Sequence, residues 1–260
     1  MDAPVDPVRL PLTPAEALPR LEAAMAAFAA LLAAGDLTAP VPACPGWDLH
    51  ALGQHVGNAH RWARGAIVEG HPDTADVDAP ADRDGLTAWY ADCAAGLLAT
   101  LRAVDPAQPC WAFGPKPRTA AFWFRRQLHE TAMHTVDAAE AGGRPAPVLD
   151  PVVALDGLDE VAAMFFPRQV RLGRIAPLDR SLAVLASDAA AGPAGLRRVL
   201  ATDGTGPASS PDAPADVEVR GPAQALLELL WHRTDPDDPR LTVDGDPAAL
   251  AAVLAVAVTP

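Results

Sequence analysis

Over the first two thirds of the chain, apolar residues recur every three or four positions, the period of α-helices with one buried face. Thr13-Pro14-Ala15-Glu16 has the form of a capping box with proline at the first helical position, and it opens a helix that runs to Gly35. Leu18, Leu21, Met25, Phe28 and Leu32 form its core stripe. After a Pro-rich loop, Asp48 stands as the N-cap of a second helix ending near Gly70, its buried side marked by Leu49, Leu52, Val56, Ala59 and Ala63. A third helix follows the acidic loop from His71 to Asp84 and turns Leu86, Trp89, Tyr90, Cys93, Leu97 and Leu101 inward. The segment from Asp105 to Arg118 is irregular. A fourth helix is predicted from near Thr119 to Gly142, and a fifth from Asp150-Pro151 through Phe166.

The pattern changes after about Arg174. Ser181–Ala186, Gly195–Ala201, Asp216–Arg220 and Leu241–Asp244 read as short strands. Helices are expected from Gly221-Pro222 to about Arg233 and from Asp246-Pro247 to near Val256, and a Pro- and Gly-rich surface loop from Gly204 to Pro214. The fold class is therefore α+β, an up-and-down helix bundle over residues 1–174 followed by a smaller mixed domain over 175–260.

Charge narrows the function. The 260 residues carry a net charge of −13, and only one of the 20 basic residues is a lysine, Lys116, so no basic footprint for nucleic acid is present. The richest apolar stretch, Ala23 to Ala34, is alanine-heavy and amphipathic, so no membrane span is expected. Met1-Asp2-Ala3-Pro4 lacks a basic leader, and the expectation is a cytoplasmic protein. Cys44, Cys93 and Cys110 are isolated, with no Cys-x-x-Cys spacing and no sign of a disulfide framework. Cys44, in the turn before Pro45-Gly46-Trp47, is expected to be structural. No cysteine is expected as nucleophile beside the site, so a thiol used in the chemistry must come from a small molecule.

The fourth helix carries the chemistry. Glu130 and His134 are four apart and share a face with Trp123, Gln127 and Asp137. A face that should be apolar offers a carboxylate and an imidazole at metal-ligand spacing. His129 and His134 are five apart, so the string is not the protease motif His-Glu-x-x-His, and a zincin protease is rejected. The second helix offers His55, on or beside its buried side, and His60, about 140° further round. One metal is not expected to use both. One imidazole from this helix with Glu130 and His134 makes a three-ligand set, the kind that leaves a coordination position open for catalysis.

Three stretches carry a resemblance: Val41-Pro42-Ala43-Cys44-Pro45-Gly46-Trp47-Asp48-Leu49 followed by His55, then His129-Glu130-Thr131-Ala132-Met133-His134-Thr135-Val136-Asp137-Ala138, and in the tail Val217–Ala223, Leu226–Arg233 and Val243–Asp246. Together they resemble the mycothiol-dependent maleylpyruvate isomerase family of DinB-like four-helix-bundle metalloenzymes. The tail departs at His232, where that family usually has glycine. The resemblance implies zinc or another divalent metal held by His55, Glu130 and His134, with mycothiol as thiol cosubstrate. It also implies that a metal thiolate is added to a small electrophile, a carboxylate, either to isomerise a cis double bond or to transfer sulfur. Arg233 matches an arginine of the family and is the candidate to bind the substrate carboxylate. Around the ligands, Asp137 is a candidate to orient an imidazole, Arg126 to hold Glu130, and Asn58 and Trp62 to line the cavity. Two alternatives stay open: a thiol-independent DinB-like metalloenzyme, and a non-catalytic metal-binding or regulatory bundle.

Overall fold

The computed structural model describes residues 9–71, 75–202 and 210–260. Positions 204–209 of the expected surface loop, 72–74 of the acidic loop and the first eight residues lie outside it. The chain divides into two compact units, one Leu12–Val148 and the other Leu149–Pro260 with the described residues before Leu12. The division therefore falls earlier than the boundary at residue 174 that the change of pattern pointed to.

The first unit is four helices: α1 (Pro14–Ala34), α2 (Leu49–Val68), α3 (Arg83–Ala103) and α4 (Ala121–Ala141). The capping box is present in full: the Thr13 hydroxyl accepts from the Glu16 N–H, and the Glu16 carboxylate accepts from the Thr13 N–H at 2.9 Å. The Asp48 side chain likewise caps α2, accepting from the Ala51 N–H at 2.8 Å. Ala17, Leu21, Met25, Phe28 and Leu32 are the buried stripe of α1, so Ala17 takes the place expected for the half-buried Leu18. By length and composition α1 could also cross a membrane, contrary to the expectation. Here its apolar stripe packs on α4 and α3 instead.

Neighbours in the bundle are not all consecutive in sequence. α1 packs on α4 and α3, and α2 packs on α3 and α4, so α1 and α2 face each other only across the diagonal. Long connections make this possible, as in other bundles with crossover loops. The loop before α2 is tied back by a bridge between Pro40 and Asp48, and the loop before α4 by one between Pro109 and Thr119. Gly57 lets α3 come close to α2, since a Cβ there would stand 2.2 Å from the Trp89 ring.

The second unit begins with α5 (Pro151–Glu160), a π-helical turn (Val161–Phe165) and α6 (Phe166–Arg171). The widening has a local cause. Pro167 has no N–H to donate back, and its ring would strike the carbonyl of the preceding turn. The Phe166 N–H instead reaches the Val161 carbonyl, one residue further back than in an α-helix. Strands β1 (Leu182–Ala186), β2 (Leu196–Leu200), β3 (Val217–Gly221) and β4 (Thr242–Gly245) form a mixed sheet in the order β2-β1-β3-β4, parallel only between β1 and β3. Helix α7 (Ala223–Leu230) packs on α5, and both α7 and α8 (Pro247–Leu254) pack on β1 and β3. The first strand among the described residues is thus Leu182, after the bundle, as expected.

α7 stops at Leu230, short of the expected Arg233. The His232 N–H bonds the Leu229 carbonyl and the Arg233 N–H bonds the Glu228 carbonyl, with His232 at φ 58°. This is a Schellman stop with an imidazole-bearing residue in the left-handed position that glycine fills most cheaply. The His232 side chain is exposed and has no hydrogen bond among the described residues. His232→Gly should therefore raise stability by about 0.5–1 kcal/mol, part of the relief being returned as extra freedom of the unfolded chain. Urea denaturation would show a higher midpoint at unchanged slope; a lower midpoint would mean that the turn is not strained.

Candidate functional site

α2 and α4 run antiparallel, and their facing stripes bring three residues together. His55 Nε2 lies 3.0 Å from Glu130 Oε1, and His134 Nε2 lies 3.5 Å from the same oxygen. The two imidazoles meet edge to face at 5.0 Å between centroids. The ligand atoms of His55, Glu130 and His134 all lie within 4.8 Å of one another. Two imidazole nitrogens and one carboxylate oxygen brought this close together fit a divalent ion of the zinc type. His60, the other imidazole of α2, is fully buried and turned to different partners, Gln127 Oε1 at 2.6 Å and the Tyr90 hydroxyl at 3.4 Å. Burial pulls its pKa down to about 4, against the Gln127 hydrogen bond, so it is a neutral core residue.

The surroundings of the three are asymmetric. Fully buried Asp137 accepts from His134 Nδ1 at 2.8 Å, which turns Nε2 toward Glu130. His55 has a different support, the Trp47 indole at 4.8 Å between centroids. Arg126 is buried, its side chain 4% exposed, and it donates to Glu130 Oε2 at 2.8 Å. Burial alone would raise the Glu130 carboxyl, but the bonds from His134 and His55 and the Arg126 charge hold it well below the usual carboxylate range. Burial likewise works against the His134 imidazolium, yet the hydrogen bonds to Asp137 and Glu130 raise its pKa to about 9.

Asp137 thus bonds His134, and Arg126 bonds Glu130. Asn58 and Trp62 have other partners. The Asn58 amide donates to the Val77 carbonyl at 2.9 Å and accepts from the Val77 N–H at 3.0 Å, clamping the loop after α2. Trp62, two helical turns from His55, belongs to an aromatic cluster with Trp111, Phe113 and Trp123, at 5.4, 5.9 and 5.0 Å between centroids. Trp111 and Phe113 come from the irregular segment, which is anchored by the Trp123 indole N–H on the Trp111 carbonyl at 2.9 Å.

Two residues near the donors were missed. Cys44, expected to be only structural, has its Sγ 3.9 Å from Asp137 Oδ2, and with Asp137 and His134 it forms a second close donor group. No cysteine was expected there, because spacing along the chain does not reveal that the Pro40–Asp48 bridge folds this loop back. The same fold-back sets Trp47 on His55; its signal was the turn-forming Cys44-Pro45-Gly46-Trp47 run directly before an N-cap. Arg233 lies in the second unit, where its guanidinium sits 5.6 Å above the Trp231 ring and donates to the Trp231 carbonyl at 2.5 Å.

No curated protein matches the chain in sequence. Among solved structures, the crystal structure of the mycothiol-dependent maleylpyruvate isomerase is similar at a TM-score of 0.63 and 16% identity, over 90% of this chain and 93% of that one. A histidine-to-alanine mutant of that isomerase gives 0.59 and 16%, over 84% and 88%. These likenesses show the fold. The family of the mycothiol maleylpyruvate isomerase N-terminal domain matches residues 18–139, and that of the MDMPI C-terminal domain matches residues 152–252. Since the two matches cover most of the sequence, one falling on each compact unit, the chain belongs to the mycothiol maleylpyruvate isomerase family.

Proposed function

We propose that this protein is a soluble, cytoplasmic, metal- and mycothiol-dependent isomerase acting on a small unsaturated carboxylic acid of the maleylpyruvate kind. The observation that carries it is the convergence of His55 Nε2, Glu130 Oε1 and His134 Nε2, with Asp137 fixing the tautomer of His134. A divalent ion held by these residues would supply a Lewis acid that draws the proton from a thiol of ordinary pKa, about 8.5. The thiolate sulfur then bonds one carbon of the cis double bond, and the electron pair moves into the neighbouring carbonyl. Rotation about the new single bond follows. Return of the electrons expels the thiolate and leaves the trans product, so no atom is gained or lost.

The chain's own contributions are positional and electrostatic. Asp137 holds the proton on His134 Nδ1, and Glu130 stays ionised. Arg233 is proposed to hold the substrate carboxylate, its guanidinium preorganised over Trp231. The deciding experiment is turnover of maleylpyruvate by purified protein of measured metal content, with and without mycothiol. Turnover should require both metal and thiol. Where substrate buries the half-exposed guanidinium against its carboxylate, Arg233→Ala should cost roughly 2–5 kcal/mol in kcat/KM. Full activity without any thiol would sink the mechanism, and unchanged kinetics in Arg233→Ala would remove that residue from it.

The His134 proton gives the pH dependence. With the folded pKa raised from 6.5 to about 9, the metal-free protein has the full stabilisation from this imidazolium below pH 6.5 and loses it as pH rises through about 9. A metal competes for the same nitrogen. Below pH 9, binding should release about one proton per ion and tighten roughly tenfold per pH unit. Calorimetry in buffers of different ionisation enthalpy would measure the release. Proton-neutral binding at pH 7 would show that His134 is not a ligand.

A further inference from the structure

The two oxygens of Glu130 have different partners. Oε1 faces both imidazole Nε2 atoms at 3.0 and 3.5 Å, whereas Oε2 accepts from Arg126 at 2.8 Å. Arg126 stands one helical turn before Glu130, and its side chain is 4% exposed against 20% for Glu130. A guanidinium so deeply buried is costly to desolvate, and it is found where a planar, charged donor must meet a carboxylate in a fixed geometry. A free carboxylate can ligate a metal through one oxygen or through both. Here the second oxygen is already occupied, and withdrawing it would break a 2.8 Å hydrogen bond between two oppositely charged side chains.

We infer that Arg126 is a positioning residue that restricts Glu130 to one-oxygen ligation, keeping coordination positions open for the incoming thiol. This rests on the metal site proposed above and adds to it the mode in which the carboxylate binds. With three donors, one of them a single oxygen, a bound ion would keep a vacancy. With both Glu130 oxygens engaged, one position fewer would remain for the thiol, and the extra donor oxygen would weaken the ion's pull on a thiol proton.

The test begins on the unmutated protein loaded with zinc. X-ray absorption should show one carboxylate oxygen at ligand distance, about 2.0–2.2 Å, and none for the second oxygen. Cobalt substitution then reports coordination number, since tetrahedral sites absorb visible light strongly and higher-coordinate sites weakly. Arg126→Gln, which leaves a neutral donor, should lose most of that visible intensity while still binding about one cobalt per chain, and Arg126→Lys should restore part of it. Two carboxylate oxygens at ligand distance in the unmutated protein would overturn the inference, and so would an unchanged cobalt spectrum in Arg126→Gln. If the unmutated protein binds neither zinc nor cobalt, the proposed function fails instead. The absorption measurement decides the matter even if Arg126→Gln does not fold.

Discussion

Alanine at His134 or at His55 is expected to strip the divalent ion from the protein, lowering metal affinity by more than about 100-fold. Loss of a residue that merely orients a ligand costs 10–100-fold, and a ligand itself should exceed that range. The two variants should fail for different reasons. His134 carries the Asp137 hydrogen bond, so His134→Ala also leaves a fully buried carboxylate without its 2.8 Å partner and should destabilise the metal-free protein. His55 is 39% exposed and supported by a ring contact with Trp47, so His55→Ala should leave the metal-free protein close to its original stability. His60→Ala is the control that separates the two imidazoles of α2. It should keep a full equivalent of metal yet lose about 1–3 kcal/mol, because Gln127 Oε1 is left without its 2.6 Å partner. Elemental analysis of the three purified variants beside their denaturation curves would settle the assignment. Full metal in both His55→Ala and His134→Ala would refute it.

Much of this site was legible because helical spacing is strict. The four-residue step from Glu130 to His134 places both on one face whatever surrounds them, and the three-residue step to Asp137 keeps it in reach of His134. The choice between His55 and His60 was narrower. Their angular separation shows that one ion cannot use both, but only packing shows that His60 faces Gln127 and Tyr90. What stayed hidden comes from contacts distant in sequence. The Cys44 approach to Asp137 spans 93 positions and depends on a loop folded by one backbone bridge. Asn58, expected to line the cavity, clamps a loop through Val77, nineteen positions away in sequence. The unit boundary was placed late for a similar reason. The helices from Pro151 to Arg171 have the period of the bundle, but α5 packs on α7 of the sheet unit, a partner that periodicity cannot name.

Replacing Trp123 by alanine is expected to cost about 3–5 kcal/mol, the range for emptying a buried aromatic site, a large share of the 5–15 kcal/mol that holds a typical domain folded. Trp123 is fully buried and contacts Trp62 and Phe122 at 5.0 and 5.1 Å between centroids, while its indole N–H anchors the Trp111 carbonyl. The substitution thus removes three supports at once: buried area, ring contacts, and the hydrogen bond that ties down the segment before α4. It also bears on the proposed metal site. Trp123 and Trp62 join α4 to α2 two helical turns from Glu130 and His55, so loosening this contact loosens the distance between the ligand-bearing faces. An ion that binds only the folded state should then return part of the lost stability, by about 2.7 kcal/mol at a hundredfold excess over its dissociation constant. Added zinc should raise the urea midpoint of Trp123→Ala and leave that of His134→Ala where it was. A loss below about 1 kcal/mol in Trp123→Ala would mean that the neighbouring rings close over the gap. Equal rescue of both variants by zinc would mean that the ion stabilises the fold from somewhere other than His55, Glu130 and His134.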